Sequence, residues 1–143
     1  MSGALGGLRV IDCSRLIAGG VLATILADHG ADVIKVENPR GGDPLRTWLR
    51  DRGELWWKVY ARGKRSVTLN LAHARGSALL RRLCRGADVL IENYRPGTFE
   101  KWGLGWDVSC PQTIPVSSLL ASRVGARTAP IEIGPGSERW SRR

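Results

Sequence analysis

Residues 29–38, His29-Gly30-Ala31-Asp32-Val33-Ile34-Lys35-Val36-Glu37-Asn38, are echoed by residues 85–94, Arg85-Gly86-Ala87-Asp88-Val89-Leu90-Ile91-Glu92-Asn93-Tyr94. Each stretch reads as the last residue of a helix, a glycine that stops it, and a short apolar strand ending in Glu-Asn. A strand reached from a helix, twice over, predicts a βαβ fold with parallel strands. Ligands in such folds gather at the carboxyl ends of the strands. The two Glu-Asn ends are therefore the first place to look for function. The segments between the echoes do not match, so the echo reflects shared turn chemistry and not duplication.

Outward from these stretches, Leu8-Arg9-Val10-Ile11-Asp12 reads as a buried strand and residues 14–20 as the turn after it. Val21, Leu22, Ile25 and Leu26 recur at helical spacing, and Gly30 suits the left-handed position just past a helix end. Residues 38–44 form a loop by composition, and residues 45–60, rich in Trp and Arg, read as irregular. A strand is expected over 66–71, a helix over 73–85 with its arginines outward, and a strand over 88–91. A turn at Arg95-Pro96-Gly97 and a short helical stretch follow. From about residue 108 no period persists, and the composition suggests a poorly ordered basic tail.

The chain's 143 residues suffice for one domain with a core, and no apolar run reaches the length of a membrane span. The first residues lack a charged and an apolar signal region, so a cytoplasmic location is expected. Cys13, Cys84 and Cys110 are odd in number and widely spaced, with no metal-ligand pattern, which points to reduced thiols and no metal site. The net charge of +9 invites a nucleic-acid reading. The basic residues are scattered, however, and three of those nine charges fall in the tail, five Arg against two Glu. An anionic small ligand or a plain solvated surface explains the charge as well. His29 and His73 offer no catalytic pattern, and Asp12, Asp28, Asp32 and Asp88 read as structural.

Several segments, in order, carry a resemblance: Gly7-Leu8-Arg9-Val10-Ile11-Asp12, Ala18-Gly19, residues 26–37, Gly41-Gly42-Asp43-Pro44-Leu45-Arg46, residues 62–71, residues 87–97, and Trp102-Gly103-Leu104-Gly105-Trp106. Together they resemble the class III CoA-transferase family, which includes formyl-CoA transferase, carnitine CoA-transferase and alpha-methylacyl-CoA racemase. The resemblance covers roughly residues 4–107. It implies a Rossmann-like large domain with a parallel sheet, of which residues 1–107 are the N-terminal part. It also implies an interlocked homodimer, coenzyme A as acyl-CoA substrate with a carboxylic acid as partner, and no metal. The chemistry implied is CoA exchange through an aspartyl thioester, a nucleophilic route that divides one hard step into easier ones.

The resemblance places CoA contacts at Ile17 and Ala18, Asn38, Leu69-Asn70-Leu71-Ala72, Asn93-Tyr94-Arg95 and Lys101. Ala18-Gly19-Gly20 equally suits a tight strand-to-helix turn without a ligand, and residues 93–95 a plain strand-end turn. Asn70 and Ala72 stand where the family often has Asp and Lys, Asn38 where some relatives carry Arg, and Lys101 where related enzymes place Arg. Lysine still serves phosphate as a point charge. Arg62, Lys64 and Arg65 either add to an electropositive approach or form a solvated basic loop.

The family's nucleophilic Asp and Gly-rich loop have no counterpart in residues 108–143, so no catalytic residue is assigned. Codons built from the third base of each codon and the first two of the next offer a reason. From Ala126 to Arg143 they can spell Gln-Asp-Gly-Pro-Tyr-Arg-Asp-Arg-Pro-Gly-Phe-Gly-Ala-Leu-Val-Glu-Ala, and from Ile114 to Ser118 Pro-Arg-Leu-Val. These strings resemble the family's continuation, so a frameshift near residue 108 is expected. The expected protein is a truncated, inactive CoA-transferase fragment of marginal stability, its half sheet open at an edge. The alternatives are an acyl-CoA racemase of the same family and a CoA-binding module without chemistry. A nucleic-acid or membrane partner is not expected.

Overall fold

The computed structural model describes residues 3–48, 55–105 and 114–115. Five parallel strands stand in the order β3-β2-β1-β4-β5: β1 Arg9–Asp12, β2 Asp32–Glu37, β3 Lys64–Thr68, β4 Val89–Ile91 and β5 Ile114–Pro115. The helices are α1 Ala18–Asp28, α2 Leu55–Tyr60, α3 Ala74–Cys84 and α4 Thr98–Lys101. The order explains the layering. The path from β1 to β2 runs one way across the sheet, and the path from β3 to β4 returns past β1. Right-handed crossovers then put α1 and α3 on opposite faces.

Both faces are covered, so the strands read as nearly continuous apolar runs. Val10, Val33 and Ile91 pack with Ala23 of α1, flanked by Leu22 and Leu26. Ile11, Cys13, Val36 and Leu90 point the other way, against Leu80 and Cys84 of α3, with Phe99 of α4 and Leu104 closing that side.

The two echoing stretches end their helices differently. Gly30 has φ 101°, and Ala31 N–H reaches Leu26 O while Gly30 N–H reaches Ala27 O. These are the paired bonds of a left-handed helix stop that only glycine adopts without strain. Gly86 is not left-handed; its carbonyl accepts from Arg9 Nη1 at 3.3 Å. The echoing aspartates both serve β1's first residue. Asp32 lies 3.6 Å from Arg9 Nε, and Asp88 accepts Arg9 N–H at 2.8 Å.

The sequence reading needs correction at three places. α1 starts at Ala18 and takes in Gly19 and Gly20, because a side chain at Gly19 would sit 2.2 Å from Ser14 Cβ and only glycine allows this approach. Within residues 45–60, a 3₁₀ turn at Pro44–Arg46 and helix α2 replace the expected irregular run. β3 begins at Lys64, two residues early, and ends at Thr68. Its charged start is absorbed by ion pairs, Lys64 with Asp12 at 3.0 Å and Arg65 with Asp32 at 2.6 Å. Calls on residues 108–113 and 116–143 lie outside the described residues.

Candidate functional site

The switch point of this sheet lies between β1 and β4, where the chain's direction of travel reverses. Loops from both sides meet there. Asn93, just past β4, grips the turn after β1: its Oδ1 accepts Arg15 N–H at 2.7 Å and its Nδ2 donates to Arg15 O at 2.8 Å. From the other side, Asp43 Oδ1 accepts Leu16 N–H at 3.1 Å. The turn ends at Ile17, the N-cap of α1, and no side chain caps that helix start. Its first N–H groups are thus left for water or an anionic ligand.

Under this turn lies a buried group of two lysines and two aspartates. Lys35 Nζ is 3.0 Å from Asp43 Oδ2 and 3.5 Å from Asp12 Oδ1, and it donates to Ser14 O. Lys64 Nζ is 3.0 Å from Asp12 Oδ2 and donates to Gly20 O at 2.8 Å. Asp12 also accepts Ser14 N–H at 3.0 Å. The four charges balance, which is the condition for burying them.

On the α3 side of the same sheet end lies a shallow, solvent-open groove of about 40 Å³. Val36, Glu37 and Asn38 from the end of β2 line it, with Leu69, Asn70, Leu71 and Ala72 from the loop after β3, and Tyr94 and Trp102 opposite. Tyr94 and Trp102 meet edge to face, centroids 5.1 Å apart, with Phe99 5.5 Å from Tyr94. Burial pushes the Tyr94 phenol up to about 12, with Cys13 adding to the rise and Arg15 opposing it. At neutral pH Tyr94 is therefore an apolar wall with a hydrogen-bonding tip.

The expected contacts divide between these two places. Asn38, Leu69, Asn70, Leu71, Ala72 and Tyr94 come together on the groove. Ile17 and Ala18 start α1. Asn93 spends its amide on Arg15. Arg95 is exposed in the next turn, and Lys101 is exposed at the end of α4 beside Trp102. Lys64 belongs to the buried group beneath the turn, paired with Asp12, while Arg62 and Arg65 pair with Asp28 and Asp32 at the surface. His29 and His73 hold their own helix ends, His29 Nδ1 lying 2.8 Å from Ile25 O and His73 Nδ1 accepting Arg75 N–H at 3.2 Å.

The Glu-Asn strand end had pointed to Glu37, whereas Val36 and Trp102 on the groove and Asp43 at the turn were missed. An Asp before Pro is a legible helix-cap signal, and Asp43 does cap Leu45 N–H at 2.8 Å. Its reach to Leu16 had no such signal.

Glu37 anchors the groove floor. Its carboxylate takes Arg46 Nε at 2.7 Å and Nη2 at 2.8 Å, Ser66 Oγ at 2.5 Å and Asp43 N–H at 2.9 Å, while Arg46 lies 3.8 Å above the Trp57 ring. Burial alone would raise its pKa, but the bonds from Arg46, Ser66 and Asp43 outweigh it and bring it from 4.5 to about 2. A depressed carboxylate stabilises the fold fully above its unfolded value and stops doing so as pH falls through its folded value. The stability advantage of native chain over Glu37→Gln, about 3 kcal/mol at neutral pH, is expected to fade from pH 4.5 to about 2. Urea titrations of both chains across this range check it; a pH-independent gap would contradict the assignment.

The model of CoA-transferase family III matches residues 5–110. The beta subunit of succinyl-CoA–L-malate CoA-transferase from Chloroflexus aurantiacus is 54% identical over 107 residues, 73% of this chain and 26% of that protein. A formyl-CoA:oxalate CoA-transferase from Rhodopseudomonas palustris is 37% identical over 135 residues, 92% of this chain and 31% of that protein. The crystal structure of a CAIB/BAIF family protein from Brucella suis aligns with TM-score 0.74 and 39% identity, covering 80% of this chain and 33% of that one. The chain thus spans about a quarter to a third of the length of the curated relatives it matches.

Proposed function

The chain belongs to CoA-transferase family III, and from that membership we propose that residues 3–105 are the CoA-binding floor of an enzyme that exchanges CoA between carboxylic acids. The observation that carries this reading is the groove: Asn38, Leu69–Ala72 and Tyr94, expected as ligand contacts from the family resemblance, line one concavity at the carboxyl end of the sheet. Its walls suit a nucleotide's flat base and an amide-bearing arm that ends in a thiol, with aromatic faces on one side and backbone with two asparagines on the other. The uncapped start of α1 and exposed Lys101 and Arg95 offer positive charge to phosphates. The second substrate, in this reading, is a carboxylic acid, and the complete enzyme is a homodimer of the cytoplasm.

The catalytic carboxylate of the family, by the resemblance, lies well downstream of residues 102–106, after a Gly-rich loop, and residues 108–143 hold no counterpart of either. We therefore read the present chain as a binding fragment without transferase activity, its residues 108–143 the product of a frameshift. Calorimetric titration of CoA into the purified chain tests the binding claim. A saturable heat with a dissociation constant below about 1 mM is expected, weakened by Lys101→Ala. No heat at millimolar CoA would overturn it.

A further inference from the structure

Leu16 has φ 62°, a left-handed backbone that no other non-glycine among the described residues adopts. For a leucine this costs about 1–2 kcal/mol, so something must hold it. Packing does not, since Leu16 is 38% exposed. The holders are two side chains far away in sequence. Asn93 takes both backbone groups of Arg15, and Asp43 takes Leu16 N–H at 3.1 Å.

Asp43 is itself unable to follow a relaxing turn. It is 4% exposed, its Oδ2 lies 3.0 Å from buried Lys35 Nζ, its N–H is bound to Glu37 Oε2 at 2.9 Å, and its Oδ1 also caps Leu45 N–H. One carboxylate thus ties three places together: the turn after β1, the 3₁₀ turn after β2, and the β2 lysine beneath both. It lines neither the groove nor the start of α1. Strain held by surrounding structure concentrates where a backbone must be preorganised, and the residues after Leu16 are Ile17 and Ala18, the expected ligand contacts.

We propose that Asp43 is a positioning residue: it holds Leu16 left-handed and so sets the aim of Ile17 and Ala18 toward the ligand, a role that rests on the CoA reading above. Without the carboxylate, Leu16 relaxes to negative φ, the peptide joining it to Ile17 turns, and the start of α1 is presented differently. Glycine at position 16 occupies the left-handed region without cost. It should therefore make Asp43 dispensable for the turn, though not for the 3₁₀ cap or for Lys35.

The test uses the full chain, with amide hydrogen exchange measured without ligand and CoA affinity measured by calorimetry. Asp43→Ala should speed exchange at Leu16 and weaken CoA binding, each by about tenfold. The double variant Asp43→Ala/Leu16→Gly should recover affinity to within about threefold of the native chain. Leu16→Gly, which carries no risk of unfolding a charge cluster, should show a higher urea midpoint than Leu16→Ala, because both lack the leucine side chain and only glycine is free of the left-handed strain. An affinity loss that persists in the double variant, or a Leu16→Gly midpoint no higher than that of Leu16→Ala, would overturn the proposal. If the native chain binds no CoA, the functional reading fails by itself. The exchange and midpoint measurements then still decide whether Asp43 holds the turn.

Discussion

Replacing Asp12 with alanine is expected to remove about 3–5 kcal/mol of stability, the cost of breaking a buried ion pair from one side. Asp12 is fully buried, and both its oxygens are engaged, Oδ2 by Lys64 and Oδ1 by Ser14 and Lys35. After truncation Lys35 keeps Asp43 at 3.0 Å. Lys64 keeps the Gly20 carbonyl at 2.8 Å and loses its carboxylate. Ordinary domains have only about 5–15 kcal/mol in total, so the variant should be largely unfolded by mild urea. Burial already lowers the Lys64 pKa, even with Asp12 opposing it. A lysine depressed in the folded state binds fewer protons there than in the unfolded chain, so its presence favours folding as pH rises. The Asp12→Ala deficit should accordingly shrink toward the ordinary lysine range, where Lys64 is neutral in both states. Far-UV circular dichroism in urea, at neutral and alkaline pH, measures this. A loss below about 1 kcal/mol, typical of a surface pair, would show that the cluster is not load-sharing as described. Pairing Asp12→Ala with Lys64→Met should recover part of the loss, since both charges then leave together.

Gly76→Ala is expected to be the most damaging alanine substitution among the described glycines. A Cβ there would lie 2.0 Å from the Asn70 carbonyl oxygen and 2.7 Å from its carbon. Both are backbone atoms, and that carbonyl accepts His73 N–H at 3.0 Å, so no flexible side-chain tip can swing aside. Either α3 backs away from the sheet or the loop carrying Leu69–Ala72 shifts, and that loop is one wall of the groove. The cost is about 3 kcal/mol, at the upper end for overpacking, and CoA affinity should fall with it. Gly20→Ala makes the internal comparison. It lies within α1, and a Cβ there meets nothing within 4 Å. It should gain up to about 1 kcal/mol from helix propensity alone. Thermal melts of the two variants should therefore move in opposite directions, and a matching shift would refute the steric account.

The helices and strands flanking the site were legible because their signals are local. Apolar spacing marked α1 and α3, and the Gly-Ala-Asp-strand echo marked β2 and β4 to within a residue. The start of β3 was not, since Lys64 and Arg65 look like loop residues until Asp12 and Asp32 arrive to pair with them. Helix α2 was hidden for a similar reason: none of its residues is buried, and Trp57 is held by Arg46 from a separate element. Within the site, the family resemblance pointed to six residues that converge on the groove, while Asn93 stands beside it with its amide bound to Arg15.

The amino-acid sequence by itself determined the alternation of helix and parallel strand, the glycine stop at Gly30 and the family, because periodicity, propensity and motif spacing are properties of neighbouring residues. Only the tertiary structure decided the conformation of Leu16, the burial of the lysine–aspartate cluster and the work of Asp43 and Asn93. Those depend on partners 27 and 78 positions away. Such contacts exist only once the sheet order has brought the ends of β1, β2 and β4 side by side.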